Sequence, residues 1–177
     1  MNKKVCSFPI LFALLALLIG TCAVVFPASA QAAPTSTGSI TVSGTVARSY
    51  DAYQIFSANV VDGDSDAKIA TDLAWASDAA CDAVLPVLHS AGMPNSQTTA
   101  QEAAEWLNTD SHLTSALSAQ LARSLQSSGA VPVALNAGTT AELPCGYWLI
   151  VADDDAIAQG EASTVPIMAL VGGSAVT

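Results

Sequence analysis

Two apolar patterns divide the chain. Up to Trp75, and again from Val131, apolar and β-branched residues recur at every second position or in short unbroken runs. That is the pattern of strands. Between Asp78 and Gly129 apolar residues recur at steps of three and four, the spacing that puts them on one face of a helix. Strands, then helices, then strands predict an α+β fold: an antiparallel sandwich with a helical insertion between its early and late strands.

The elements follow from punctuation. Residues 38–47 read as a strand with Ile40 and Val42 on one face, and Gly44 predicts a bulge. Residues 50–61 form a second strand. Alternation puts Tyr53, Ile55 and Ser57 on one face and Ala52, Gln54 and Phe56 on the other. Apolar residues on both faces predict a strand covered from both sides. A polar turn at 62–66 leads into a returning strand over 69–75. Asp78 is read as the cap of a first helix that Pro86 shortens or kinks. Thr98 or Thr99 caps a short second helix carrying Ala103, Trp106 and Leu107. Asp110 caps the third, whose stripe is Leu113, Ala116, Leu117, Leu121 and Leu125, with Gly129 at its end. Beyond it lie a strand at 131–135, a turn at 138–142, and a nearly all-apolar strand at 145–152, which reads as central. A loop at 153–160 and a last strand at 163–171 complete the pattern.

The first thirty residues follow a different logic. Lys3 and Lys4 precede an apolar run from Pro9 to Val25, and Pro27-Ala28-Ser29-Ala30 supplies a small-residue cleavage site. This is the layout of a secretory signal peptide, residues 1–30. Cleavage before Gln31 leaves a chain that does not insert in the membrane, of about 147 residues, enough for one domain. Residues 31–37 read as a flexible leader. Of the basic residues only Arg48, Lys68 and Arg123 then remain against fifteen acidic ones, a formal charge of about −12. Such a surface repels phosphate backbones, which excludes nucleic-acid binding, and it disfavours anionic lipid.

Export also leaves two of four cysteines, Cys81 and Cys145. In an oxidising compartment an even pair is most simply a disulfide, closing a loop of about 64 residues worth about 4 kcal/mol by chain entropy. Two separate buried thiols are the alternative. No C-x-x-C or H-x-x-x-H spacing organises the cysteines with His89 and His112 around a metal. Asp62-x-Asp64-x-Asp66 begins like a calcium loop, but Ala67 and Leu73 stand where glycine and a bidentate glutamate belong, so a solvated turn is expected. No nucleophile elbow, zincin helix or phosphate-binding glycine loop is present. The chain therefore reads as neither an enzyme nor a cofactor carrier.

Two segments carry a family resemblance. One is Tyr50-Asp51-Ala52-Tyr53-Gln54-Ile55-Phe56, the other Gly146-Tyr147-Trp148-Leu149-Ile150. They resemble the A-Y-Q-I-F and G-Y-Y-L-I segments in the N-terminal domain of Gram-positive, sortase-assembled pilin backbone subunits. Trp75, near the place of that family's W-G pair, and Val171-Gly172 fall in the same order. Ala76 stands where glycine is usual, and Trp148 replaces a tyrosine. The resemblance spans residues 38–173. It implies an Ig-like domain of a cell-wall-associated fimbria, with neighbouring pilin subunits as partners. An adhesin domain that binds a host glycan or matrix protein is the alternative. No L-P-x-T-G sorting signal or Y-P-K pilin motif occurs. Residues 174–177 read as the start of a following segment, so the chain is expected to be a fragment. Pilin domains of this kind often form a Lys–Asn isopeptide bond, which needs a buried, neutral amine. Lys68, the one lysine after residue 30, follows three aspartates in a turn where its amine should be solvated.

Overall fold

Fourteen residues of one strand organise the domain. In the computed structural model, which describes residues 36–43, 48–63, 67–109, 111–153 and 164–172, the elements run in the order β1 (Thr37–Thr41), β2 (Ser49–Asp62), β3 (Lys68–Trp75), α1 (Asp78–Ser90), α2 (Ala100–Asn108), α3 (Ser115–Ser127), β4 (Val133–Asn136), β5 (Thr140–Pro144), β6 (Gly146–Ala152) and β7 (Ile167–Val171). All belong to one compact unit, Ala32–Thr177. The signal-peptide and leader readings up to residue 35 lie outside the described residues. So do the Gly44 bulge, most of the 62–66 turn, the Asp110 cap, most of the loop after Asp153, and residues 174–177.

On one edge β2 pairs with β6 over most of its length. On the other edge it is shared, with β4 beside Ser49–Ala52 and β3 beside Phe56–Asp62. Strand β7 extends the sheet beyond β6, and β1 with β5 forms a separate two-stranded sheet. Every pairing is antiparallel. The result is α+β, with the helices between β3 and β4 as the order of patterns predicts.

The main sheet is covered on both faces. Tyr53, Ile55, Phe56, Leu149 and Val151 join Val84, Leu88, Leu107, Leu121 and Leu125 from the helices in the larger core. On the other face Ala52, Trp148 and Val171 meet Ile40 and Leu143 of the small sheet. Phe56 is therefore not opposite Ile55, as strict alternation predicts. The β2–β6 register slips between Gln54 and Phe56, so Ile55 is an extra residue and Phe56 pairs with Tyr147 on the helix side. One inserted residue reverses the facing of everything beyond it. A second slip lies between Ser57 and Asn59. There Asp72 takes a φ of 55° and its carboxylate accepts from the Asn59 side-chain amide at 2.8 Å.

The helices differ from expectation at their starts. Ser77, not Asp78, caps α1 through its hydroxyl. Pro86 sits inside α1 without ending it, and Gly92 at φ 112° follows its end. Thr99 caps α2 with a full capping box to Glu102. Thr114 caps α3, so Leu113 precedes the helix and is exposed rather than leading its apolar stripe. Thr114, directly before the run of strong helix formers, takes the role because its hydroxyl accepts from Leu117 N–H. The predicted 138–142 turn is shorter: β5 begins at Thr140, and Thr139 N–H bonds Asn136 C=O at 3.2 Å in the turn that carries the chain from the main sheet to the small one.

Candidate functional site

The two segments singled out in the sequence are adjacent, interlocked strands. Tyr53 lies opposite Leu149, Gln54 opposite Trp148, Phe56 opposite Tyr147 and Ser57 opposite Gly146. At the β5–β6 corner the Cys145 carbonyl accepts both the Gln54 side-chain amide at 3.1 Å and Ala58 N–H at 3.3 Å. Gly146 adopts φ 143°, and a Cβ there would stand 2.0 Å from the Phe56 carbonyl oxygen. Glycine is thus required by both conformation and space. The glutamine of one segment and the glycine of the other secure the same corner. Ile55 is fully buried, and Trp148 is buried with its indole N–H donating to Pro144 C=O at 3.0 Å. Tyr50 and Ile150 pack against the smaller core. Trp75, at the end of β3, lies 4.9 Å from the Phe56 ring and donates to Thr98 C=O at 3.1 Å, which ties the α1–α2 connection to the sheet.

These motif residues build scaffold, with one opening. Between Ala52, where β4 pairing stops, and Phe56, where β3 pairing starts, β2 has no strand on that edge among the described residues. A cleft of about 370 Å³ occupies the gap, lined by Tyr53, Gln54 and Trp148 on the sheet side and by Ser77, Gly129 and Val131 on the other. Burial pushes the Tyr53 hydroxyl above its ordinary range, and Asp51 adds to the shift. Asp51 is itself raised, first by burial and then by Asp153.

The Cys81–Cys145 disulfide expected from the sequence is not formed: both thiols are free. Cys145 is fully buried at the β5–β6 corner. Cys81 is half-buried on the first turn of α1, beside the inward stripe of Ala80, Val84 and Leu88. Helix α1 packs against β2, β3 and α3. Burial raises the Cys81 thiol pKa, and Asp82 and Asp78 raise it further. Lys68, its side chain 23 % exposed, pairs with the Asp62 carboxylate at the turn end of the β2–β3 hairpin.

Two features escape a sequence reading. Trp106 and His112 stack across the α2–α3 connection, ring centres 4.2 Å apart and 12° from parallel, with His112 Nδ1 2.7 Å from Trp106 C=O. The other is β7. Among the described residues it pairs only with β6, and Val165 and Ile167 are more than half exposed. Apolar clefts flank it on both faces. One, about 310 Å³, is lined by Phe56, Leu107, Leu113, Tyr147, Met168 and Leu170. The other, about 320 Å³, is lined by Ile40, Val42, Tyr50, Ile150, Val165 and Ile167. The apolar run at 165–171 was visible in the sequence; its place at the sheet edge was not.

No protein-family model matches the chain, and no curated protein matches it.

Proposed function

We propose that the chain is a structural subunit domain of a Gram-positive cell-surface pilus or fimbria, of the Ig-like type found at the N-terminus of pilin backbone subunits. One observation supports this most. The two segments that carry the resemblance are neighbouring core strands, locked at one corner by Gln54 and Gly146. A scaffold role accounts for both segments at once, because their aromatic and β-branched residues are spent on packing. The partners are neighbouring pilin subunits, and the work is to form and extend a fibre. Immunogold labelling of the producing cells is expected to decorate fibres. Label found only in soluble protein, with none on the wall or on fibres, refutes the reading.

A second reading is an adhesin domain for a host glycan or matrix protein. The Trp106–His112 stack favours it, since aromatic faces bind sugar rings and this pair lies on an exposed helix connection. A glycan and matrix array separates the two: a hit abolished by Trp106→Ala supports adhesion.

A further inference from the structure

We propose, beyond either reading of function, that residues 130–132 are a strap that closes on the cleft beside β2, bringing Val131 onto the vacant sheet position opposite Gln54.

The vacancy follows from hydrogen-bond direction. Successive residues of an antiparallel strand turn their main-chain groups to one neighbour and then the other. In β2 the Arg48 carbonyl accepts from Ala137 N–H on the β4 side, and the Ser49 carbonyl accepts from Asp153 N–H on the β6 side. The β2–β6 register then runs unbroken as far as Gln54. Gln54 stands an even number of residues after Arg48, so its N–H and C=O face the edge where β4 has ended. One residue further, the Ile55 carbonyl accepts from Ala76 N–H at 3.0 Å, which fills that position. Among the described residues nothing bonds the Gln54 main chain on that edge. An unmet donor and acceptor beside an apolar cleft favour any partner that reaches them.

The register names the partner. Asp51 lies opposite Ala134 and Ala52 opposite Val133. Continued, the same register sets Pro132 opposite Tyr53 and Val131 opposite Gln54. Val131 is 88 % exposed and already lines the cleft. Its N–H and C=O match the pair that Gln54 offers. Its side chain would join Gln54 and Trp148 on their side of the sheet, because residues opposite each other share a face.

Pro132 does not obstruct the closure. By the same alternation its nitrogen faces outward from β4, where the missing N–H loses no ladder bond. Gly129 supplies a hinge: its φ is 80°, and nothing lies within 4 Å of an added Cβ. The bond from Ala130 N–H to the Ser128 hydroxyl, at 3.2 Å, holds the strap off. Closed, the strap fills the cleft from within the chain. Open, it leaves the Gln54 main-chain pair to an incoming group.

The test uses the chain without residues 1–30, the form expected after export. Amide exchange with water is read residue by residue by NMR in the parent and in Val131→Pro, which lacks the N–H that donates to the Gln54 carbonyl on closure. The Gln54 amide is expected to exchange at least about threefold more slowly in the parent than in the variant, since closure protects it. Tyr53, whose main chain faces β6, is the internal control and should be protected equally in both. Equal exchange at Gln54 with Tyr53 protected in both overturns the proposal. A second measurement needs no variant. Closure brings the α protons of Tyr53 and Pro132 face to face as a non-hydrogen-bonded pair, so the parent should show a nuclear Overhauser contact between them. Its absence also overturns the proposal.

Discussion

At the scale of single residues, the Gly146 corner matters most to the scaffold. The 2.0 Å approach of a would-be Cβ to the Phe56 carbonyl involves backbone, which cannot turn aside as a side chain can. Gly146→Ala is expected to cost more than about 3 kcal/mol, combining a backbone conformation that is nearly glycine-only with a steric overlap. Gly138 is the internal control. It also has a positive φ, 79°, but nothing lies within 4 Å of its added Cβ. Gly138→Ala should cost about 1–2 kcal/mol, the left-handed penalty alone. Urea denaturation of both variants checks this, and equal losses would remove the corner's special status. The cysteines make a second residue-scale prediction. With both thiols free, intact mass under native conditions should not change on reduction. Cys81 should react slowly with a thiol reagent near neutral pH, because its raised pKa keeps it protonated. Cys145, fully buried, should react only on unfolding. A two-hydrogen mass deficit that reduction restores would re-establish the bridge. The residue scale also shows where pattern reading stops. Alternation places Phe56 on the wrong face because the extra residue at Ile55 is a property of pairing with β6 and leaves no mark on β2's own sequence.

At the scale of elements, the helix starts show how local chemistry competes. The sequence left Thr98 and Thr99 both open as the cap of α2, and the structure selects Thr99, which closes a box with Glu102 from both ends. Thr99 Oγ accepts from Glu102 N–H at 3.2 Å, and Glu102 Oε2 accepts from Thr99 N–H at 3.0 Å and from Thr98 N–H at 2.9 Å. For α3 the sequence pattern pointed to Asp110, four positions before Thr114, the residue that caps the helix. Choosing between them depends on where the α2–α3 connection sets the first turn, which is a tertiary matter. The capping box also predicts a pH dependence. Hydrogen bonds from Thr99 and Thr98 hold the Glu102 carboxyl below its ordinary value of 4.5. A depressed folded pKa contributes stability above the unfolded value, which is lost as pH falls through the folded value. Thr99→Ala, by removing the cap hydroxyl, should cost about 1 kcal/mol at pH 7, the usual worth of a threonine cap. The gap from the parent should narrow when both are melted below pH 4, as the parent loses its ionised Glu102. A gap that stays constant across that range would show that the carboxylate takes no part.

At the scale of the whole molecule, much of the architecture was readable. The strand–helix–strand order, the central place of β6 and the glycine at the end of α3 all follow from patterns confined to one segment. The edge position of β7 does not, because it depends on which strand is its neighbour, and the clefts beside it join residues more than a hundred positions apart. Net charge also acts at this scale. Fifteen acidic residues against three basic ones after residue 30 give the folded domain a self-repulsion, which compaction intensifies and salt relieves. Between about 0.01 M and 0.15 M ionic strength the screening length falls from roughly 30 Å to roughly 8 Å, from the span of a whole domain to that of neighbouring side chains. Raising sodium chloride over that interval is expected to stabilise the domain by about 1 kcal/mol, or roughly 2–4 °C in Tm for a domain of this size. A flat or falling Tm would mean that the acidic residues are spread or paired well enough to cancel the effect. The same salt also lowers repulsion between two copies, so the measurement must separate the two sources. Self-repulsion within one chain gives a salt dependence that is the same at every protein concentration. Stabilisation through association of copies grows with protein concentration by mass action, so a salt dependence unchanged on dilution belongs to the single chain.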